Sequence, residues 1–410
     1  MMSGAVRRQA GLAQGVFLIL GSCLPVLGAV LLAPVLPDVQ RAFATTPGVA
    51  VMTPVMLTLP ALMIGICAPF AGMAVDRIGR RRLLLVTLVI YSLIGTAPLY
   101  LPSLPAILVA RAGLGMTEAV IMTVCTTLIG DYFTGARRET WLSLQGAAAS
   151  LAAMMFFGVG GALGTFGWRT PFWLYAAGIV LLPAAFALVW EPKREQAQPV
   201  VASAPRGGLP WPVLLIAYPF AVITGMALLM MPIQAGFLLN TLGIFSPAII
   251  GLTASANQGA VFIGSLMFRP INKFGYAMMF GISFVAAGGG LLLASQARGQ
   301  TGVLIGGVVN GFGAGLLLVG LINWALASLP WAIRGRGTGG FMSCVFIGQF
   351  ISPLFVLLLK AHGFSLFGAL AAFGWVVLAM SGLGVALPLL VRRATTMESM
   401  RPVNVGSLDV

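Results

Sequence analysis

Long stretches of this chain contain no Asp, Glu, Lys or Arg, among them residues 9–37, 42–75, 83–110, 140–168, 207–268, 274–297 and 299–333. A helix crossing the hydrocarbon layer of a bilayer needs about 20 mostly apolar residues. Each stretch therefore holds at least one such helix, and 207–268 must hold two. The chain is 59% hydrophobic with a mean hydropathy of +1.01, more apolar than a soluble domain of 410 residues could cover with polar groups. The class that follows is an all-α integral membrane protein.

Turn residues and charges divide the apolar sequence into twelve spans, at approximately 12–36, 50–73, 83–101, 105–130, 141–164, 171–190, 211–239, 247–268, 276–295, 302–328, 338–360 and 364–390. Twelve spans put both termini on one side. With the termini in the cytoplasm, eighteen of the 23 Lys and Arg residues fall in cytoplasmic segments. The other side has Arg41, Arg169, Arg298 and Lys360, and Arg111 lies inside span four. Basic residues are retained on the cytoplasmic side, so this asymmetry supports both the count and the orientation.

The net charge of +14 comes from short loop clusters rather than a basic stripe interleaved with aromatics, so nucleic-acid binding is not expected. Cys23, Cys67, Cys125 and Cys344 all lie in apolar runs without a C-x-x-C pair and read as small buried hydrophobes. His362 is the one histidine, which leaves no metal cluster and no Cys/His or Ser/His/Asp set. No cofactor is expected. The first apolar run follows Arg7 and Arg8 but extends to Pro37 without an A-x-A-like cleavage site, so it reads as the first span rather than a signal peptide.

The polar stretch 191–210, EPKREQAQPVVASAPRGGLP, reads as a mobile cytoplasmic linker. It divides the chain into six-span halves, 1–190 and 211–391, with a cytoplasmic tail at 392–410. The halves look duplicated. DRIG at Asp76 recurs as NKFG at Asn272 and GWRTPF at Gly167 as GFSLF at Gly363, both at an offset of 196, and Arg137-Arg138 recurs as Arg334 and Arg336, at an offset of 197 from the first of each. Duplicated halves with a site between them recur among secondary transporters.

The stretch GMAVDRIGRRR, Gly72 to Arg82, together with RAGLGMTEA at Arg111, DYFTGARRE at 131–139 and GWRTPF at 167–172, resembles the landmarks of the major facilitator superfamily. The likeness extends over essentially the whole chain. It implies two pseudo-symmetric six-helix bundles, with spans 1, 4, 7 and 10 lining a central cavity and spans 2, 5, 8 and 11 flanking it. The proline of the fifth-helix pattern G-P-x-x-G-G is replaced by Phe157 in FFGVGGALG, and the sugar-porter sequences are missing. The likeness also implies a cytoplasmic gate made of Gly72, Asp76, Arg77, Gly79, Arg80 and Asp131. In that gate Asp76 would face the positive N-terminal end of span eleven and Arg80 would pair with Asp131, both contacts holding the halves together. A plain orientation signal accounts for the arginines but not for Asp76, Gly72 or Gly79.

Glu118 is the one acid deep inside a span, and Arg111 precedes it by seven residues, nearly two turns on the same helical face. Ionisable groups in hydrocarbon are expensive and face a cavity or a partner. Glu118 is therefore expected to carry a coupling proton or meet a cationic substrate group, and Arg111 to tune it or bind an anion. The structural alternatives are an interhelical hydrogen bond for Glu118 and snorkelling for Arg111. Gln234, Asn257, Gln258 and Asn310 are candidate cavity residues, with interhelical hydrogen bonding as the competing role. Met226, Met230 and Met231 suit an adaptable apolar lining, and GFGAG at 311–315 reads as close helix packing rather than a nucleotide loop.

These readings converge on a secondary active transporter, a monomer in a bacterial-type inner membrane, whose partners are protons, lipid and a small-molecule substrate. Proton-coupled export of a small amphiphilic organic compound is the first expectation. Uptake or exchange of a small metabolite such as an organic acid is the second, and a membrane receptor or enzyme the third.

Overall fold

The computed structural model describes residues 10–192, 211–328 and 334–399. Residues 193–210 of the expected linker and 400–410 of the expected tail lie outside the described residues, as do Arg7, Arg8, Lys193, Arg194, Arg206 and Arg401. Twelve described helices are long and apolar enough to cross a membrane. They are α1 Leu12–Ala42, α2 Val49–Ile78, α3 Arg80–Leu99, α4 Leu104–Tyr132, α5 Gly135–Gly164, α6 Thr170–Leu188, α7 Ala217–Thr241, α8 Pro247–Leu266, α9 Tyr276–Ser295, α10 Gln300–Ala325, α11 Gly337–Ala361 and α12 Leu366–Ala386. Every expected span has its helix. The main difference is in α1, which ends its first α-helical segment at Val30, passes through a 3₁₀ turn at Ala33–Val35 and resumes at Leu36. Pro34 and Pro37 explain the break, since neither offers an N–H to a continuing helix.

Helices α1–α6 and α7–α12 form two bundles, each with its own buried apolar core. Backbone geometry supports the duplication inferred from sequence. Gly79 and Gly275, the glycines of DRIG and NKFG, both stand at the start of a span with φ of 94° and 93°. Gly167 and Gly363 form a second such pair at φ 125° and 88°. These are left-handed values that favour glycine, so the halves share the same corners even where the side chains have diverged.

Helices in a bilayer associate through small residues that let backbones touch. GFGAG in α10 does this on two sides. A side chain on Gly311 or Gly315 would overlap the carbonyls of Asn257 and Val261 in α8, and one on Gly313 would overlap the backbone of Ala287 in α9. Between the bundles, α5 meets α8 and α2 meets α11. A Cβ on Gly161 would lie 2.5 Å from the Pro247 carbonyl oxygen, and one on Gly251 would lie 2.7 Å from that of Phe157. Ser343 Oγ of α11 donates to the Gly65 carbonyl of α2 at 3.0 Å.

These contacts are unevenly placed along the membrane normal. They run from mid-membrane to the face that carries the α1–α2 loop. Gly72, seven residues beyond Gly65 on the same side of α2, has open space where a Cβ would be, with no atom within 4 Å. The bundles are closed at the face opposite Asp76 and part toward the face that carries it.

Replacing Gly315 by Val should wedge α10 from α8. Overpacking of a tight contact costs about 1–3 kcal/mol, so thermal unfolding in detergent should shift measurably downward. An unchanged unfolding temperature would argue against this packing.

Candidate proton and substrate site

Arg111 and Glu118 are the charged side chains that are buried among the described residues, at 1% and 0% exposure. Arg111 does not snorkel. Its three donor nitrogens each reach a different helix. Nε donates to the Met56 carbonyl of α2 at 2.9 Å, and Nη1 donates to the Tyr175 hydroxyl of α6 at 2.7 Å. Nη2 donates to the Gly28 carbonyl of α1.

Local sequence explains why those acceptors are available. Pro60 stands four residues after Met56 and has no N–H, so the Met56 carbonyl loses its intrahelical donor. Gly28 lies in the last turn of the segment Leu12–Val30, where carbonyls lack intrahelical partners. A buried carbonyl without a donor costs roughly 1–3 kcal/mol, and one guanidinium satisfies both. Tyr175 is held in turn, because Ser92 Oγ donates to its carbonyl at 2.8 Å and its ring packs edge-on against Tyr91 at 5.7 Å.

Glu118 lies two turns further along α4, and its carboxylate rests against Gly28, where any larger residue would overlap it. Arg111 and Glu118 thus converge on the same residue of α1, from its carbonyl and its Cα respectively. Neither Glu118 oxygen has a hydrogen-bond partner among the described residues. Tyr91 and Tyr175 are within electrostatic reach of it. The interhelical bond weighed for Glu118 is therefore not made; Arg111 makes such bonds instead.

The other candidates separate into three places. Asn257 and Asn310 sit together inside the second bundle. Asn257 Nδ2 donates to the Gly307 carbonyl at 2.6 Å and to Asn310 Oδ1 at 3.4 Å, and Asn310 Nδ2 donates to the Ala287 carbonyl at 3.0 Å. This chain ties α8, α10 and α9 together and leaves Asn257 Oδ1 buried without a partner among the described residues. Gln258 is buried beside it in sequence with no hydrogen bond to the pair. Gln234 of α7 stands apart, lining a cleft at the face opposite Asp76.

The gate residues occupy the third place. Arg80 Nε lies 3.1 Å from Asp131 Oδ2, and Arg80 Nη2 lies 3.7 Å from Asp76 Oδ1. These contacts join α2, α3 and α4 of one bundle, so Arg80 and Asp131 do not themselves hold the two halves together. Asp76 is 63% exposed, and its described partner is Arg80 rather than α11. The residues just before α11 that Asp76 was expected to face, 329–333, lie outside the described residues. Arg77 is exposed, and Gly72 faces the opening.

Glu191 was not among the sequence candidates. Its carboxylate accepts the backbone N–H groups of Arg80 and Arg81, each at 2.8 Å, and so caps α3. Gly79 leaves the space, since a Cβ there would lie 3.1 Å from that carboxylate.

The sequence model of the Major Facilitator Superfamily matches residues 18–353. This chain belongs to that superfamily. It is 32% identical over 153 residues to the class B tetracycline resistance protein of Escherichia coli, a match that spans 37% of this chain and 38% of that protein. It is 25% identical over 337 residues to the 3-(3-hydroxy-phenyl)propionate transporter of Escherichia coli (strain K12), covering 77% of each. Its fold is like that of a bacterial homolog to the human lysosomal transporter Spinster, solved in an inward-facing and occupied conformation. The TM-score is 0.75 at 15% identity, over 95% of this chain and 98% of that one. The protein is a multi-pass membrane transporter of this superfamily.

Arg111→Lys keeps the charge but not the fork. It should lose two of three charge-assisted bonds, at about 1.5–3 kcal/mol each. Tyr175→Phe removes one. Thermal unfolding in detergent should rank the proteins wild type, Tyr175→Phe, Arg111→Lys in falling order. A lysine variant as stable as wild type would contradict the three-helix bracket.

Proposed function

We propose that this protein is a proton-coupled secondary transporter that exports a small amphiphilic organic compound, with Glu118 as the residue that carries the proton. The observation behind this is the carboxyl of Glu118, fully buried and without a hydrogen-bond partner among the described residues. An intramembrane acid is costly and is kept for a task. A structural acid would be paired, and the neighbouring cation is already committed to Gly28, Met56 and Tyr175. The carboxyl O–H releases its proton to water when the bundles open to one face and takes one up when they open to the other. Differential affinity of the two states for proton and substrate then drives alternation.

In this reading the bundles 1–190 and 211–391 rock about a site between them, joined by the linker 191–210. The face bearing Asp76, Arg80 and Asp131 is cytoplasmic, in an inner membrane, and the protein acts as a monomer. Asp76 meets α11 when that face closes. The substrate passes between the bundles, with Gln258 as a polar contact. The resistance-protein relatives support the export direction. A second reading, uptake of an organic acid, is favoured by the hydroxyphenylpropionate transporter, which matches far more of the chain. In that reading Arg111 is less available to the acid, since each of its three nitrogens already donates to Met56, Tyr175 or Gly28.

Purified protein in proteoliposomes under an imposed pH gradient tests the proposal. Wild type should accumulate a fluorescent amphiphile against its gradient. Glu118→Gln should fold and bind it but fall to the passive leak. Proton-driven accumulation by Glu118→Gln at the wild-type rate would refute the role of Glu118.

A further inference from the structure

The face opposite Asp76 is closed by contact between the bundles, yet it is not flat. A cleft of about 440 Å³ enters there between α1 and α2 on one side and α7, α11 and α12 on the other. A second hollow of about 390 Å³ adjoins it and shares Gln40, Phe237 and Asn240. Small-molecule sites are concave, mostly apolar, and carry a few convergent polar groups; the cleft has each of these features.

Its polar groups are arranged by depth. Lys360, in the last turn of α11, stands at the mouth and makes no ion pair among the described residues. Asp38, the acid at this face among the described residues, is paired with Arg41. Asn240 and Gln40 lie at the level of the helix ends. Gln234 lies six residues before Asn240 on α7, about 9 Å deeper at 1.5 Å per residue. It is 4% exposed, lines the cleft, and has no hydrogen-bond partner among the described residues. Asn240 Oδ1 is buried and also unpartnered among them. Buried amides without partners are uncommon in folded proteins because each costs about the desolvation of a polar group. The Gln234 amide on the cleft wall and the buried Oδ1 of Asn240, beside an ammonium with no ion pair among the described residues, describe a surface suited to a polar ligand. Phe237, Val356, Leu357 and Leu366 supply the apolar walls.

We propose that this cleft is a vestibular binding site for a small organic carboxylate with an apolar body and a hydroxyl group. The ammonium of Lys360 takes the carboxylate, Phe237 and the aliphatic walls take the body, and the amide nitrogen of Asn240 donates to the hydroxyl oxygen. Gln234 donates from below. The site lies at the face opposite the opening between the bundles, well apart from Glu118. It rests on the transporter reading, as the place where cargo is received or released on that side.

The test uses the full chain in lipid nanodiscs, with 4-hydroxybenzoate as probe and neutral 4-hydroxybenzamide as its uncharged counterpart, each titrated by calorimetry. Wild type should bind the carboxylate at least tenfold more tightly than the amide. Lys360→Gln should remove that difference while leaving amide binding unchanged, which also shows that the variant is folded, and Lys360→Arg should keep it. Gln234→Leu should weaken both probes. Absence of binding by wild type, or an undiminished preference in Lys360→Gln, would overturn the assignment. Binding that follows the expected pattern in a protein without proton-driven flux would instead overturn the proposed coupling and leave the cleft standing.

Discussion

The guanidinium of Arg111 sets the first bundle. Inside a bilayer no water is available to satisfy backbone groups, so each carbonyl released from a helix must find a donor within the protein. Pro60 releases one in α2, and the break in α1 releases another. Arg111 satisfies both, and its remaining arm reaches Tyr175 in α6. Four helices are thereby fixed around one cation. The same arrangement turns all three nitrogens of the cation toward Gly28, Met56 and Tyr175, and Glu118 is left without a hydrogen-bond partner among the described residues. A buried acid with no partner among the described residues follows from the geometry of its neighbour, and it is the feature on which the proposed coupling stands.

The bundles are internally tight and joined more sparingly. Within the second bundle, α10 is in backbone contact with α8 through Gly311 and Gly315 and with α9 through Gly313, and Asn257 and Asn310 bond across all three helices. At the Asp76 face of the first bundle, Arg80, Asp131 and Glu191 hold the ends of α3 and α4 to the chain leaving α6. The hydroxyl of Tyr132 adds a bond of 2.6 Å to the Trp190 carbonyl. Such ends move as bodies. That suits the proposed rocking, in which Gly65, Gly161 and Gly251 are contact points that must separate.

The helices were legible because hydrocarbon leaves few choices: a charge-free run of some 20 residues in a chain this apolar spans the layer, and the twelve expected spans all recur. Glu118 and Arg111 were legible for the same reason, as charges in the wrong place. Their division of labour was not. It depends on Tyr175, which no spacing links to Arg111, and on the Met56 carbonyl, whose release by Pro60 is a backbone fact that carries no side-chain signal. The gate residues were found from motif likeness, but that Arg80 pairs with Asp131 and Asp76 inside one bundle is set by how the ends of α2, α3 and α4 meet. The cap by Glu191 joins residues more than a hundred positions apart. Gln234 was picked out as a polar residue in a span, and what assigns it to a cleft at the far face is the depth at which α7 meets α1, α2 and α11.

The central claim is that Glu118 exchanges a proton with water during the transport cycle. Infrared difference spectroscopy after a pH jump, on protein in lipid with and without Glu118→Gln, tests it directly. The account expects a carboxyl C=O band that gains or loses intensity with pH in wild type and is missing from the variant. Identical difference spectra from the two proteins would contradict it.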